Sequence, residues 1–357
     1  MRTAIIKAIR LLGRYAVLPA AAVAAAMFVG WLIALDQHPV AAAIAFPVAL
    51  PVAMGVVVVG LGLLLPIRLG TDGVSVNEHE APGLWAIWNE FDRVSPRSRR
   101  VLLIDLELNA SMSEQRCWLG LRRQQLTMKV GAALLLALDE RAVRAVVAHE
   151  VAHARLQHTT GGVNLVEFEL AAANLFHYFD PEQTITGRVA HLLLHALLDW
   201  VNAARLALSH ANELAADRDA AELVGADEIA RSLVLIESSI TQMKELIYTP
   251  LDKELLGAIR VPTPPLQRLA AQLDTIRRPE RIAAAAAARM SEADDPKSTH
   301  PAFATSLANL GFSALPIIDA PQGSAATTLM SAATMKELMA RFNRDWCKSA
   351  DRAIGIY

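Results

Sequence analysis

Two histidines four residues apart, with a glutamate directly after the first, constrain this chain more than any other feature of its sequence. They are His149, Glu150 and His153, in the segment VVAHEVAHARLQH. On an α-helix, positions four apart differ by about 40° around the axis, so both imidazoles project from one face. In this geometry two histidines can hold a zinc ion while the glutamate accepts a proton from water that the metal activates. A buried helix with two hydrogen-bonded histidines is the alternative.

Two ligands do not complete such a site, and the helix of the motif supplies no third. His158 lies nine residues after His149, on the opposite side of the helix. A second pair, His191 and His195, has Leu192 where a general base would stand. That pattern is typical of a polar stripe on an amphipathic helix, with a metal site as the alternative. The missing ligand therefore has to come from another segment.

The best remaining candidate is the segment NELAADRDA, in which Glu213 and Asp217 lie one helical turn apart. One carboxylate could bind the metal while the other accepts the free N–H of a ligand histidine. Ala216 is small enough to permit a close approach between helices. A solvated acidic face is the alternative, because Asp219 and Glu222 are nearby. Spacing alone does not show which carboxylate binds the metal and which accepts the histidine N–H.

The N-terminal region is dominated by two uncharged apolar runs, residues 15–35 and 40–67. At about 1.5 Å per residue, each run is long enough to cross a hydrocarbon core of about 30 Å. Together they predict a transmembrane hairpin, with a cleaved signal peptide as the alternative for the first run. Basic residues before the first run hold the N-terminus in the cytoplasm, and two crossings return the chain there. They are Arg2, Lys7, Arg10 and Arg14.

Composition agrees with a membrane protein and excludes several other classes. Hydrophobic residues make up 54% of the 357-residue chain, which is too apolar for an ordinary soluble enzyme. The chain has 34 Lys and Arg against 36 Asp and Glu, so it has no net positive charge that would favour nucleic acid as a partner. Only two cysteines occur, which excludes a disulfide framework and a thiolate metal cluster.

After the apolar runs, the pattern becomes that of a globular α+β domain rich in helices. Alternating segments predict strands over residues 100–108, 116–121 and 125–130, and a longer helix over residues 140–157 carries the histidine motif. The tail of the chain is predicted to be mainly helical.

Two apolar segments between the motifs, residues 163–179 and 187–208, contain charged side chains. Because charges at the bilayer centre are costly, these segments are predicted to be buried or membrane-proximal helices, with true spans as the alternative. The segment over residues 212–223 is again predicted to be helical, and residues 227–246 predict a longer amphipathic helix.

HEVAH, followed about sixty residues later by ELAAD and preceded by an N-terminal membrane hairpin, resembles the HtpX and CAAX prenyl protease family of membrane-associated zinc metalloendopeptidases. The resemblance implies a zincin-like catalytic domain of the gluzincin type with one Zn²⁺ per chain. It implies that His149, His153 and Glu213 bind the zinc, that Glu150 is the catalytic base and that Asp217 supports the site.

Two weaker motifs extend the resemblance, which covers about residues 80–310. Asn109 and Ala110 resemble the family's asparagine-alanine stretch beside the edge strand that binds substrate. A protein or peptide substrate is therefore expected to lie extended along residues 109–120, adding a strand to the sheet. His300, followed by Pro301, resembles the late histidine-proline element near the active site. A loop histidine before a proline is the alternative.

The sequence thus predicts an integral membrane protein with a helix-rich, zincin-like α+β metallopeptidase domain. Its expected regions are a membrane anchor over residues 1–70, a zinc peptidase domain over 71–278 and a helical C-terminal region over 279–357. The catalytic domain is expected on the cytoplasmic side of the plasma membrane, or of the inner membrane in a prokaryote.

The expected activity is hydrolysis of peptide bonds, in membrane protein quality control or processing. The expected partners are a peptide or protein substrate and the lipid bilayer, and no nucleic acid. The alternative from another class is a catalytically weak, zinc-containing membrane assembly or chaperone-like protein.

Overall fold

The computed structural model describes residues 2–63, 72–92, 99–117, 122–293, 295 and 297–354. Two parts of the predicted elements lie outside the described residues: residues 64–67 of the second apolar run and residues 118–121 of the predicted strands. The described residues form a helix-rich α+β structure with one small sheet, as predicted.

Helices account for most of the described chain. The first group is α1 (Arg2–Leu12), α2 (Leu18–Gln37), α3 (Pro39–Gly62), α4 (Pro82–Phe91), α5 (Ala132–Ala137), α6 (Glu140–Thr160), α7 (Gly162–Tyr178) and α8 (Ile185–Val224). The second is α9 (Ala226–Met243), α10 (Thr249–Leu255), α11 (Pro265–Ile276), α12 (Pro279–Met290), α13 (Phe303–Asn309), α14 (Ala325–Leu329) and α15 (Ala332–Ile354). A 3₁₀ turn, Gly13–Val17, follows α1, and a π-helical turn, Lys244–Tyr248, follows α9.

Packing divides the chain into two compact units, each built from two stretches of sequence. One comprises Met1–Leu69 and Leu156–Ala211, and the other comprises Gly70–Arg155 and Asn212–Tyr357. These boundaries differ from the three consecutive regions predicted from the sequence. Those regions assign roles along the chain and stay a prediction.

The described residues of the first unit form helices joined by short turns, and they have their own apolar core, which includes Leu165 and Phe168. The two glutamates that mark residues 163–179 as polar are both paired with arginines. Arg14 Nε lies 3.2 Å from Glu167, and Arg205 Nε lies 2.6 Å from Glu169. Pairing of this kind is what makes buried charges tolerable inside a helical core.

Among the residues that the structure describes, no helix combines the length and the apolar character needed to cross a membrane.

One predicted boundary is wrong, because residues 187–208 and 212–223 belong to the single helix α8. The three residues between the two segments include neither glycine nor proline, so nothing in the backbone ends the helix there. His191 and His195 lie exposed on this helix with their ring centroids 5.9 Å apart, as expected for a polar stripe.

The second unit contains a four-stranded sheet with the order β1-β2-β4-β3. β2 (Arg99–Asp105) runs parallel to β4 (Arg122–Gly131) and pairs antiparallel with the short β1 (Val74–Val76). β3 (Ala110–Cys117) pairs antiparallel with β4 and is an edge strand. It begins earlier than the strand predicted over residues 116–121. Its sequence, ASMSEQRC, is mostly polar and lacks the apolar alternation that reveals a half-buried strand.

The turn between β2 and β3 depends on Gly131 at the end of β4. A Cβ atom at this position would lie 1.6 Å from the carbonyl oxygen of Glu107, so a side chain has no room. The Gly131 N–H instead donates to the carbonyl of Asn109, with an N–O distance of 2.9 Å. This close approach sets Asn109 and the start of β3 beside the end of β4.

The histidine helix α6 begins at a buried ion pair between Asp139 and Arg231 of α9. Their side chains are 9% and 5% exposed. Arg231 donates to both carboxylate oxygens at 3.0 and 2.6 Å, and the Ala142 N–H donates to Oδ1 at 3.0 Å, which caps the helix. Burial raises the pKa of Asp139, but the hydrogen bonds and charge of Arg231 and the backbone donors outweigh it, so the pKa is lowered.

Asp139→Asn removes the charge and leaves Arg231 buried without its counter-ion. We expect the free energy of unfolding to fall by about 3–5 kcal/mol at neutral pH, measured by urea unfolding of the full chain. The matched control is Glu90→Gln, which breaks the exposed pair with Arg144 and should change stability by less than about 1 kcal/mol.

The same variant tests the pKa of Asp139. The folded-state pKa lies below the unfolded value of about 3.9, so the stabilisation is fully present above that value and is lost as the pH falls through the folded pKa. The difference in unfolding free energy between wild type and Asp139→Asn should therefore shrink below about pH 4. A difference that stays constant from neutral to acidic pH would contradict this assignment.

Candidate active site

Helix α6 holds His149 and His153 on one face, as the spacing predicts. Their rings are nearly parallel, with centroids 6.1 Å apart and an interplanar angle of 7°. The side chains are 18% and 12% exposed. The rest of the helix is fixed by small apolar residues that pack into the core: Ala145, Ala148, Val151 and Ala152. The two imidazoles therefore project from a rigid support.

The imidazole of His149 lies between two buried carboxylates from α8. Its Nε2 is 3.3 Å from Glu213 Oε2, and its Nδ1 is 3.1 Å from Asp217 Oδ1. Glu213 is 6% exposed and Asp217 is 2% exposed. Burial lowers the pKa of His149, but hydrogen bonds to Asp217 and Glu213 outweigh it, so the pKa lies well above its usual value.

Small residues of α8 allow this approach. Ala216 and Ala220 are fully buried on the same side of the helix as the two carboxylates. Larger side chains there would hold α8 further from its neighbours, because interaxial distances depend on the residues at the contact. The sequence argument from Ala216 is thus in agreement with the packing.

Glu213 contacts three histidines of the site. Its Oε1 lies 3.5 Å from His153 Nδ1, and its Oε2 lies 3.2 Å from His300 Nδ1 as well as facing His149. Burial raises the pKa of Glu213, but the hydrogen bonds of His149 and His300 and the charge of His153 outweigh it, so the pKa is strongly lowered. The carboxylate is therefore ionised at every pH near neutrality.

Glu150 has a different environment from Glu213, although both are carboxylates of one site. Burial raises the pKa of Glu150 to about 7, with an opposing effect from the charge of His149. Smaller opposing effects come from His300 and from a hydrogen bond with the backbone of Met112 in β3. Two carboxylates whose environments separate their pKa values are suited to different roles.

The weaker sequence motifs also lie at this site. Asn109 and Ala110 line the same cavity as His149 and Glu150. The Asn109 side chain accepts a hydrogen bond from the Ala110 N–H at 2.8 Å, which shapes the turn into β3. His300 reaches Glu213 although its own side chain is 68% exposed. The structure thus brings Asn109, Ala110 and His300 to the same site as the histidine motif and the two carboxylates of α8.

Sequence reasoning missed the contact that fixes α13 beside the site. Asn309 Nδ2 donates to the carbonyl of Leu214 at 2.8 Å, and Arg218 Nη1 donates to Asn309 Oδ1 at 2.6 Å. This contact joins α13 to the turn of α8 that bears Glu213. No sequence pattern signals a contact between side chains 91 positions apart.

Sequence reasoning also missed the contribution of α9. A cavity of about 360 Å³ opens beside the histidines, and much of one wall comes from this helix. The amphipathic pattern of residues 227–246 predicted the helix. It gave no indication that part of its apolar face lines a cavity rather than the core.

The donor groups have the chemistry that zinc requires, and two of their separations can be compared with those of zinc ligands. Two imidazoles and a carboxylate are common zinc ligands, and tetrahedral bonds of about 2.1 Å place ligand atoms about 3.4 Å apart. The contacts of Glu213 with His149 and His153, 3.3 and 3.5 Å, are close to this separation. In the described part of the chain, no group of three or more His, Cys, Asp or Glu is arranged so that it could hold a metal ion without some movement of side chains.

Comparison with known proteins identifies the family. The model of Peptidase family M48 matches residues 117–310, which is more than half of the chain. This chain belongs to peptidase family M48. The matched span contains HEVAH, ELAAD and His300, whereas Asn109 and Ala110 precede it. The resemblance inferred from the two motifs is confirmed, and the family implies zinc as its metal.

One solved structure is similar to the M48 chain described above. It is the crystal structure of S. mikatae Ste24p, with a TM-score of 0.34 and 15% sequence identity. The similarity covers 83% of this chain and 64% of that chain, so this chain spans less than two thirds of the length of Ste24p. No curated protein matches the sequence.

Proposed function

We propose that this M48 protein is a membrane-bound zinc endopeptidase in which His149, His153 and Glu213 hold the metal. The observation that carries the proposal is the contact of His149 with two buried carboxylates at once. A metal-binding histidine commonly directs one ring nitrogen to the ion and donates the other N–H to a carboxylate. In this role the Asp217 carboxylate accepts a hydrogen bond from His149 Nδ1–H, and His149 Nε2 is left facing Glu213.

The mechanism that follows is hydrolysis by an activated water. Zinc, when bound, supplies a Lewis acid that activates water and polarises a peptide carbonyl. Glu150 is the general base: its carboxylate lines the cavity beside His149, where it can accept a proton from water and then donate that proton to the leaving amine. Asp217 fixes the orientation of His149, and His300 lies close enough to Glu213 to hold that carboxylate in place.

The substrate is proposed to be a peptide segment bound as an additional strand along β3. β3 is an edge of the sheet, its first residue Ala110 lines the cavity, and the backbone of Met112 contacts Glu150. An edge strand offers unpaired backbone groups that an extended peptide can use. A peptide on this edge would pass directly beside the general base.

Membrane attachment is proposed on the strength of sequence. The uncharged runs 15–35 and 40–67 and the basic residues before them support an anchor with a cytoplasmic catalytic domain. A peptidase in this position would act in membrane protein quality control or processing.

Glu150→Gln keeps the size of the side chain but removes its ability to accept a proton. We expect bound zinc to stay near one per chain while peptide cleavage falls by roughly 10²–10⁴, measured by metal analysis and casein hydrolysis on the same preparation. Unchanged turnover in this variant would contradict the proposed mechanism. If wild type cleaves peptide and Glu150→Gln keeps its zinc without cleaving, the metal has a catalytic role. A protein that keeps zinc for stability alone would show no cleavage in either form.

Removing a zinc ligand should cost more bound zinc and more activity than removing a residue that only hydrogen-bonds to a ligand. Glu213→Ala leaves two imidazoles for the metal, so we expect most zinc and all cleavage to be lost. Asp217→Ala only loosens His149, so zinc affinity or turnover should fall by about 10–100-fold with residual zinc retained. The control is Glu222→Ala, an exposed carboxylate of the same helix, which should change neither. Stoichiometric zinc in Glu213→Ala at micromolar free metal would show that the third ligand lies elsewhere.

The proposed topology can be tested with a reporter fused after Tyr357. A hairpin with its N-terminus inside returns the chain to the cytoplasm. A reporter that is active only in the cytoplasm should therefore be active, and a reporter that is active only outside it should be silent. The control places the same reporter between the two apolar runs, after Pro39, where the opposite location is expected. A C-terminal reporter on the outer side would mean that a further segment, such as residues 187–208, crosses the membrane.

A further inference from the structure

The turn between α10 and α11 presents two large aliphatic side chains to solvent. Leu256 is 89% exposed and Ile259 is 87% exposed. In the same unit, Leu223 and Ile240 keep more than half of their surface covered, at 47% and 43% exposure. Among the described residues of this unit, only Ile317 has a large aliphatic side chain that is comparably exposed. The segment from Leu256 to Ile259 is therefore an apolar tip, and this name is used for it below.

Arg268 of α11 fixes the two ends of this turn. Its Nη1 and Nη2 donate to the two carboxylate oxygens of Glu254 in α10, with an Nη1–Oε1 distance of 2.9 Å. Its Nε donates to the carbonyl of Thr263, just before α11, at 2.8 Å. A planar guanidinium with several acceptors holds them in one geometry. Because Leu251 of α10 is also buried in the core, the apolar tip projects from a fixed base.

Basic side chains stand on both sides of the apolar tip. Lys253 precedes it and Arg260 follows it directly, and both are exposed. Asp252 is an exposed acidic residue beside them, whereas the charge of Glu254 is compensated by Arg268. The turn is thus apolar at its centre and carries an excess of positive charge at its flanks. Long basic side chains can lay their methylene groups along apolar surface while their charged ends reach phosphates.

An apolar tip with basic flanks is complementary to the surface of an anionic lipid bilayer. Aliphatic side chains can enter the acyl region while cations lie at the level of the phosphates. A protein partner fits this surface less well, because two aliphatic side chains offer only roughly 200–300 Å² of apolar area. A stable protein interface buries about 800 Å² on each partner.

A contact this small is effective when the chain is already held at the membrane. The proposed anchor, residues 15–35 and 40–67, makes insertion of the apolar tip an intramolecular step. The high local concentration of lipid then compensates for the weak affinity of two side chains.

We infer that the apolar tip is a second membrane contact of this protein, in which its aliphatic side chains insert into the bilayer and Lys253 and Arg260 bind anionic headgroups. This inference rests on the membrane attachment proposed above. It adds a lipid-binding site on the unit that carries the active site. The contact keeps that unit at the bilayer surface, where segments of membrane proteins emerge from the lipid.

The test is quenching of a fluorescent probe by brominated lipid, with the full-length protein reconstituted into vesicles. Both native cysteines are replaced by serine, and the dye NBD is attached through Gly257→Cys. Apart from its chain neighbours, a Cβ atom at Gly257 would meet no atom within 4 Å, so the tip has room for the probe. Bromines near the top of the acyl chains should quench it, more strongly in vesicles that contain phosphatidylglycerol than in phosphatidylcholine alone. A control probe at Lys336→Cys, an exposed position of α15, should not be quenched.

Substitutions separate the apolar and the charged parts of the contact. With the probe in place, Leu256→Ser combined with Ile259→Ser should abolish most of the quenching. Lys253→Gln combined with Arg260→Gln should remove its dependence on phosphatidylglycerol. The matched control is Leu223→Ser, which removes an exposed aliphatic side chain at the end of α8 and should change neither. Cleavage of casein should be unchanged in all three, because none of these residues lines the cavity.

Three outcomes would contradict the inference, and each has a different meaning for the proposed anchor. If the protein floats with the vesicles but the tip probe is quenched by aqueous iodide and not by brominated lipid, the inference is overturned and the anchor stands. Shielding from iodide without quenching by lipid would show that a protein covers the tip, which also overturns it. Protein that separates from the vesicles in a density gradient would overturn both. Quenching does not depend on cleavage, so the result holds whether or not the peptidase proposal does.

Discussion

The bridge made by His149 between Glu213 and Asp217 is the contact on which the rest of this site depends. Two buried carboxylates and a half-buried imidazole lie together, and each carboxylate would be costly to bury alone. Mutual hydrogen bonding makes the cluster tolerable and also orients it, because an imidazole that donates from Nδ1 presents Nε2 in one direction only. The bridge requires α6 and α8 to approach closely, which the alanines of both helices permit.

Elements around the bridge hold it from several directions. The ion pair of Asp139 and Arg231 fixes the start of α6 against α9, and Asn309 ties α13 to the turn of α8 that bears Glu213. Gly131 lets the β2–β3 turn fold against β4, so that the edge strand begins beside the cavity. Each contact joins residues distant in sequence. Together they bring the residues of two short motifs into a single pocket that contains Glu150 and is lined in part by apolar residues of α9.

Local pattern was sufficient to predict the helix of His149, the shared face of Glu213 and Asp217, and a helix-rich α+β fold. It failed where structure is decided by distant contacts or by weak local signals. The edge strand β3 is polar and so has no apolar alternation, and α8 was divided because its apolar character changes along its length. The roles of Asn309 and of the cavity wall from α9 follow only from tertiary packing, which no periodicity encodes. The membrane hairpin and the ligand roles stay predictions for experiment.

The central claim is that Glu213 completes the zinc site, with His300 near it but not bound to the metal. X-ray absorption at the zinc edge of the purified protein measures this directly. The account predicts two imidazole nitrogens and carboxylate oxygen at about 2.0–2.2 Å, and a spectrum that does not change in His300→Ala. A third imidazole that disappears in that variant, or a sulfur at about 2.3 Å, would contradict it.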